Sequence, residues 1–145
     1  MPSAAAVVAC ALALLGRSQS SMPPIVLVDA APAHASATVE AFVSRPDPNI
    51  YVVTSSPVFR DARESHATCA DTLAMKKLAS ILAHEEWHVR HGIAERPAYE
   101  AQLTTLLRLG VPPDHGLYIS VTRAMQSVLK KQNQKPDMLV ASSRP

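Results

Sequence analysis

Hydrophobic and polar residues alternate along residues 38–44, a pattern typical of a half-buried β-strand. Residues 50–55 are β-branched and aromatic, which is the strongest strand pattern in the chain. Between them, ArgProAspProAsn at 45–49 favours a turn, because proline restricts φ and Asp and Asn bond to the nearby backbone. The two runs predict a β-hairpin, and the apolar run 24–28 predicts another strand. Residues 56–68 show no clear period, and we expect a loop there.

From residue 70 the hydrophobic period changes to that of an α-helix, which we expect to end at a C-cap on Gly92. A second helix is predicted from near Pro97, a favoured first helical residue, to Gly110. An amphipathic pattern after the two prolines at 112–113 predicts a third. The buried stripes are expected at Leu73, Leu78, Ile81, Leu82, Glu85 and Val89, then at Leu103, Leu106 and Leu107, then at Leu117, Val121, Met125, Val128 and Leu129.

Strands followed by helices, without β-α alternation, indicate an α+β fold: a short β-hairpin or small sheet, then a long helix and two further helices. With 145 residues, the chain has room for one compact domain of ordinary size. We place this domain at residues 22–131 and expect a polar, flexible tail at 132–145. Much of the apolar content is alanine, and only 4% of the residues are aromatic, so we expect a small, helix-rich core.

The N-terminal residues 1–21 contain an uncharged apolar run followed by a serine-rich stretch. The run is too short to span a bilayer, so no stable membrane span is expected. It matches the hydrophobic region of a secretory signal peptide, with Ser18 and Ser20 at a cleavage site. We therefore predict an exported protein, either periplasmic or secreted. Once the signal is removed, Cys69 would be a lone thiol, unable to form an internal disulfide and expected to be a small buried hydrophobe.

The charge distribution argues against nucleic-acid binding. The formal net charge is +2, and the basic residues are scattered or paired rather than clustered. A nucleic-acid-binding face needs a basic cluster, and the sequence has none.

His84 and His88 are four residues apart in the predicted helix, within HisGluGluTrpHis. This spacing places both imidazoles on one face, within reach of a single ion. Imidazole is a favoured zinc ligand, and catalytic zinc has three protein ligands and an open position for water. Glu85 is placed to accept a proton from that water and to pass it to the leaving amine. This arrangement is the HExxH motif.

Two exposed histidines on a polar helix face would be the alternative explanation. A chance HExxH match in such a chain has a probability on the order of one in a hundred. The motif, however, lies well inside a periodic helix and follows the apolar run 78–83. A largely buried helix with two His and two Glu is costly unless those groups are satisfied, and a metal satisfies them. We therefore predict a metal site, and expect Trp87, off the ligand face, to pack in the core.

The third ligand must come from outside the motif, and Glu95 and Glu100 are both candidates. Glu95 lies seven residues after His88, beyond the turn at Gly92, so its carboxylate can fold back toward the metal. Glu100 lies about one turn into the second helix, roughly level with His88 in an antiparallel helical hairpin. His91 is expected to cap the end of the first helix instead.

HisGluGluTrpHis followed by GluArgProAlaTyr resembles the gluzincin branch of the zinc metallopeptidases. In that branch, a Glu that opens an ExxAD- or ExxAY-like segment on a later helix completes the site. The resemblance implies that His84, His88 and Glu95 are zinc ligands and that Glu85 is the catalytic glutamate. Tyr99 takes the position that often carries an Asp in contact with a ligand His.

The resemblance covers about residues 78–110 and implies zinc-dependent hydrolysis of a peptide or protein substrate. In zincins the edge strand before the motif pairs with an extended peptide, and the strand order here is similar. The spacer before the third ligand is shorter than in most gluzincins.

A stabiliser of the developing oxyanion is expected near the metal, and Tyr118, His115 and His66 are available.

Other functions are compatible with parts of this pattern. A non-catalytic exported protein with a structural zinc site would act as a binding or interaction module. An exported interaction module without a metal is a further alternative. A di-iron protein needs a second ExxH on another helix, which the sequence lacks.

Overall fold

The computed structural model describes residues 2–33, 39–65, 69 and 71–133. These residues form an α+β fold, as predicted, with five α-helices and a three-stranded mixed sheet. In chain order the elements are α1 (Ala4–Leu15), β1 (Ile25–Val28), β2 (Ala41–Val43), β3 (Ile50–Val53), α2 (Pro57–Ser65), α3 (Leu73–His91), α4 (Glu95–Arg108) and α5 (Gly116–Asn133).

The predicted β-hairpin is present. Strands β2 and β3 are antiparallel, with Phe42 opposite Tyr51 and their rings stacked 5.0 Å apart. In the turn, the Asp47 carboxylate accepts hydrogen bonds from the Asn49 amide and the Tyr51 hydroxyl, as expected for turn chemistry. Strand β1 is also confirmed, and it pairs in parallel with the other side of β3. The strand order β1-β3-β2 leaves β2 at one edge of the sheet.

Helix α3 is central to the fold, because it packs against α1, α2, α4, β2 and β3. Its N-cap is Thr72, whose hydroxyl accepts a hydrogen bond from the first turn, and its C-cap is Gly92, as predicted. Leu78 and Leu82 of the predicted stripe are fully buried, whereas Leu73 in the first turn is 48% exposed. The middle and end of α3 are therefore surrounded by protein, which fixes the position of the HExxH segment.

The prediction of a loop at residues 56–68 is wrong for most of that range, because Pro57–Ser65 form α2. The buried side of α2 consists of Val58, Phe59 and Ala62, each no more than 3% exposed. Three apolar residues in a helix of nine are too few to establish a period, so only tertiary packing reveals the helix. The last three residues of the predicted loop lie outside the described part of the chain.

The apolar run near the N-terminus forms α1, which packs into the core against α2 and α3. Val7, Ala11, Leu12 and Leu15 on this helix are at most 2% exposed. Removal of residues 1–21 during export stays a prediction, but in this structure that segment contributes one side of the main core.

Polar contacts also tie both ends of α1 to the rest of the domain. The Arg63 guanidinium donates to the Pro2 carbonyl at 2.7 Å, and that of Arg108 donates to the Leu15 carbonyl at 3.1 Å. Among the helices that the structure describes, none has both the length and the hydropathy needed to cross a bilayer.

Cys69 does not have the predicted character of a lone, buried thiol. It is exposed, and its sulfur is bonded to that of Cys10 on α1. The prediction assumed that Cys10 would be removed with the signal peptide. In this structure the bridge instead links α1 to the chain just before α3, across a sequence separation of 59 residues.

The last two helices match the prediction, with small differences. Leu103 and Leu106 of α4 form a second core cluster with Val121 of α5, as expected. Leu107 was expected in the buried stripe but is 46% exposed. Helix α5 continues to Asn133, slightly beyond the predicted domain boundary at 131, and the rest of the predicted tail lies outside the described residues.

Candidate metal centre

Two imidazoles and one carboxylate converge where α3 and α4 meet. His84 and His88 are one turn apart on α3, and their ring centroids are 5.0 Å apart. Glu95, the first residue of α4, places its Oε1 2.6 Å from His88 Nε2 and 3.5 Å from His84 Nε2. The three potential ligand atoms lie within 4.8 Å of one another, so this group could hold a metal ion.

The outward-facing nitrogens of both rings are already occupied by hydrogen bonds. His84 Nδ1 lies 2.9 Å from Gln102 Oε1, and His88 Nδ1 lies 2.7 Å from the Gly92 carbonyl. Both partner atoms are acceptors, so each Nδ1 carries a proton, and each Nε2 is the ring nitrogen that faces Glu95. Hydrogen bonds from the ring nitrogen that does not face the metal are typical of histidines that bind metals.

The carboxylate of Glu95 is held in its charged form. Hydrogen bonding to the His84 and His88 imidazoles outweighs partial burial and lowers the pKa of Glu95 to about 2. Burial lowers the pKa of His88, but its bonds to Glu95 and to the Gly92 carbonyl outweigh this effect and leave that pKa raised. A cation between the three groups would replace the shared protons.

Glu85 is beside this group without belonging to it. Its side chain is almost fully buried, and its Oε2 lies 4.0 Å from His84 Nε2. Burial raises the pKa of Glu85 to about 7, although the neighbouring His84 and His88 oppose the shift. A carboxylate with a pKa near neutrality is suited to take up and release a proton.

Glu86, the next residue in the chain, points to a different side of α3 and contacts two arginines. Its buried carboxylate accepts hydrogen bonds from Arg17 at 3.3 Å and from Arg90 at 2.9 Å. Arg90 also donates to the Ser21 carbonyl. The two consecutive glutamates therefore differ in role: Glu86 anchors the segment after α1, whereas Glu85 faces the metal centre.

A cleft of about 600 Å³ opens in front of the centre, between strand β2 and the helices α3 and α4. Its lining includes His84, Glu85, His88 and Glu95, together with Val39, Glu40, Ala41, Phe42, Val43, Arg45, Ile81, Ile93, Tyr99 and Gln132. The edge strand of the sheet therefore borders the candidate metal centre.

Two residues that contact the candidate metal centre were not predicted from the sequence. Gln102 bonds to His84, and the Arg45 guanidinium donates to the His88 carbonyl at 2.6 Å while lining the cleft. Gln102 is on the buried side of an amphipathic helix, seven residues after Glu95, and a polar residue at a buried helical position is the one signal of its role in the sequence. Arg45 lies in the hairpin turn, where no local pattern relates it to the helix.

The structure separates the two candidates for the third ligand. Glu100 is exposed and does not belong to the group that Glu95 forms with the histidines. Tyr99 contacts His84, with its ring edge-on to the imidazole at 4.5 Å.

Two of the three residues considered as oxyanion stabilisers, His115 and Tyr118, lie away from the cleft. His115 Nδ1 accepts a hydrogen bond from the Leu117 amide at the start of α5, and Tyr118 packs against the second core cluster. Neither lines the cleft. His66 lies outside the described residues.

His91 and Trp87 form a pair at the end of α3. His91 Nδ1 bonds to the Trp87 carbonyl at 3.2 Å, which confirms the predicted capping role. Trp87 is only partly buried and stacks on the His91 ring, with centroids 4.8 Å apart, so its prediction as a core residue is wrong.

Comparison with known proteins does not place the chain in a family, because no protein-family model, curated protein or solved structure matches it.

Proposed function

We propose that this protein is a zinc-dependent metallopeptidase of the gluzincin type, with His84, His88 and Glu95 as ligands and Glu85 as general base. One observation carries the proposal: a buried carboxylate lies beside a converging His-His-Glu group and is not part of it. The donor set suits zinc, and three protein ligands leave a coordination position open for water.

Bound zinc would supply a Lewis acid and lower the pKa of its water to about 7. The chain's own contribution is proton transfer by Glu85. With a pKa of about 7 before the metal is bound, its carboxylate can take the proton released when water attacks the peptide carbonyl. The protonated Glu85 then donates to the leaving amine, which restores the carboxylate for the next cycle.

The position of β2 supports an extended peptide as substrate. Among the described residues β2 pairs only with β3, and residues 39–43 line the cleft in front of the metal centre. Unpaired backbone groups of an edge strand can bind an extended peptide by strand addition. A peptide bound along β2 would lie in the cleft that His84 and Glu85 line, with its backbone beside the candidate metal centre.

Tyr99 is the residue we assign to stabilisation of the oxyanion. It lines the cleft beside His84, and burial together with the charges on Glu95 and Glu85 raises its pKa, so the hydroxyl keeps its proton. A retained hydroxyl proton can be donated to a developing negative charge. Tyr99→Phe should lower kcat by about 100-fold without loss of zinc.

The central test compares zinc content and peptide hydrolysis in three forms of the full-length protein. Wild type should bind one zinc and cleave members of a fluorogenic peptide library. Glu85→Gln should keep zinc and lose hydrolysis, whereas His84→Ala should lose both. Full activity of Glu85→Gln would contradict the mechanism. Stoichiometric zinc without hydrolysis by the wild type would favour the structural-zinc alternative.

A further inference from the structure

Gln102 is a buried amide in the interface between α3 and α4, and both of its polar atoms have partners. The side chain is 6% exposed, with Oε1 2.9 Å from His84 Nδ1 and Nε2 3.4 Å from the Ser80 hydroxyl. Ser80 is fully buried one turn before His84 on the same helix. These two contacts define the orientation of the amide, because reversing it would place the amide oxygen against the oxygen of Ser80, an acceptor against an acceptor.

The direction of the bonds follows from Ser80. Its hydroxyl donates to the Lys77 carbonyl at 2.7 Å, which uses its only proton. Toward Gln102 it can therefore only accept, so the amide nitrogen faces Ser80 and the amide oxygen faces His84. An amide oxygen only accepts, so His84 Nδ1 must donate, and Nε2, which faces Glu95, is the nitrogen without a proton whenever the ring is neutral.

We propose that Ser80 and Gln102 form a relay that positions His84 and selects the tautomer able to bind metal. The inference rests on the proposed function, because His84 is taken as a metal ligand. Tyr99, at the position where the resemblance implies an acidic residue, contacts the ring of His84 edge-on. The hydrogen-bonding role is taken by Gln102, three residues further along α4 on the same face.

The neutral amide of Gln102 and a carboxylate at the same position would differ in their effect on the basicity of His84. The amide fixes the ring and its tautomer without adding negative charge to the ligand. An acidic side chain at this position would accept the same bond and also raise the basicity of the imidazole. Gln102→Glu should therefore bind zinc at least as tightly as the wild type, whereas Gln102→Met, of similar length but without an acceptor, should bind more weakly.

The first experiment measures zinc affinity by competition with a chromogenic chelator. Gln102→Met should bind 10- to 100-fold more weakly, the usual effect of losing an outer-shell partner, and Gln102→Glu should restore binding. Thr105→Val is the matched control, because Thr105 is equally buried on α4 but its hydroxyl donates to the Ala101 carbonyl and not to the metal centre. Wild-type affinity in Gln102→Met would overturn the relay.

Circular dichroism of each variant checks folding. If Gln102→Met does not fold, Ser80→Ala replaces it as the test. This variant leaves the Gln102 oxygen in place, and it should bind zinc more weakly than the wild type.

The second experiment reads the tautomer in the metal-free protein and so separates the two proposals. Two-bond ¹⁵N–¹H correlation spectra at alkaline pH should show His84 with the proton on Nδ1 in the wild type and a mixture of tautomers in Gln102→Met. A proton on Nε2 in the wild type would overturn the relay, whatever the zinc result. If the wild type binds no zinc, the metallopeptidase proposal fails, while this spectrum still decides the role of Gln102.

Discussion

Glu95 reaches back across the turn at Gly92, so that its Oε1 lies 2.6 Å from His88 Nε2. The turn between α3 and α4 is short, and Glu95 is the first residue after it with helical conformation. The same carboxylate oxygen is 3.5 Å from His84 Nε2. A local turn, rather than a distant segment, therefore brings Glu95 to the two histidines, which explains how so small a domain can assemble three converging potential ligands.

Replacing the third ligand should distinguish Glu95 from Glu100. Glu95→Ala should weaken zinc binding by at least about 100-fold, because losing a direct ligand exceeds the effect of losing an outer-shell partner. Glu100→Ala should bind zinc as the wild type does, since Glu100 is exposed and outside the group. Competition titrations of both variants provide the measurement. Equal affinity of wild type and Glu95→Ala would exclude Glu95 as a ligand.

Glu85→Gln should stabilise the metal-free protein at neutral to alkaline pH. The pKa of Glu85 is raised from 4.5 to about 7 by burial, so the folded state disfavours the charged form. Below pH 4.5 the carboxyl group is protonated in both the folded and the unfolded state, so its burial does not lower the free energy of unfolding. As the pH rises, the buried charge lowers that free energy progressively. The loss is complete above about pH 7, where it reaches about 3 kcal/mol.

Urea unfolding of the chelator-treated protein at pH 4 and at pH 8 measures this difference. Glu85→Gln should be more stable than the wild type at pH 8 and similar to it at pH 4. The exposed Glu100→Gln should change stability by less than about 0.5 kcal/mol at both values. An equal gain in stability at pH 4 and pH 8 would show that the stabilisation of Glu85→Gln does not come from removing a buried charge.

Gly92→Ala should affect both stability and zinc binding. Gly92 has φ +128, a conformation that L side chains rarely adopt, and its carbonyl accepts the bond from His88 Nδ1. A Cβ there meets no atom within 4 Å, so the expected cost of about 1–3 kcal/mol comes from backbone strain. If the turn relaxes to relieve that strain, the carbonyl moves away from His88 and zinc affinity falls.

Gly116→Ala is the matched control, because a Cβ there also meets open space and its φ is not in the positive range. Thermal unfolding and zinc competition should show a loss in Gly92→Ala alone. A Gly92→Ala protein as stable as Gly116→Ala would contradict the argument from backbone strain.

Leu12→Ala should show that α1 belongs to the folded domain. Leu12 is 2% exposed in the main core, and large-to-small substitutions at such positions typically cost about 3 kcal/mol. Ala13→Ser, on the exposed side of the same helix, should change stability by less than about 0.5 kcal/mol. Chemical unfolding of the two variants is the measurement, and equal stabilities would mean that α1 is not packed as described.

Much of the framework could be predicted from local patterns. The hairpin strands follow from alternation and β-branched residues, and the helical span that ends at Gly92 follows from its hydrophobic stripe and C-cap. The approach of His84 to His88 follows from the helical period alone. These features depend on residues close together in the chain, which is why the sequence contains them.

The tertiary structure decided the rest, because each remaining feature depends on how distant segments meet. Glu95 rather than Glu100 joins the histidines because of the angle of the turn at Gly92, which spacing does not define. Gln102 becomes the partner of His84 only when α4 packs against α3. Helix α1 becomes part of the core by long-range packing and by its bridge to Cys69, although its composition alone is that of an export signal. Hydrophobic burial is non-directional, so an apolar segment does not specify by itself which surface will cover it.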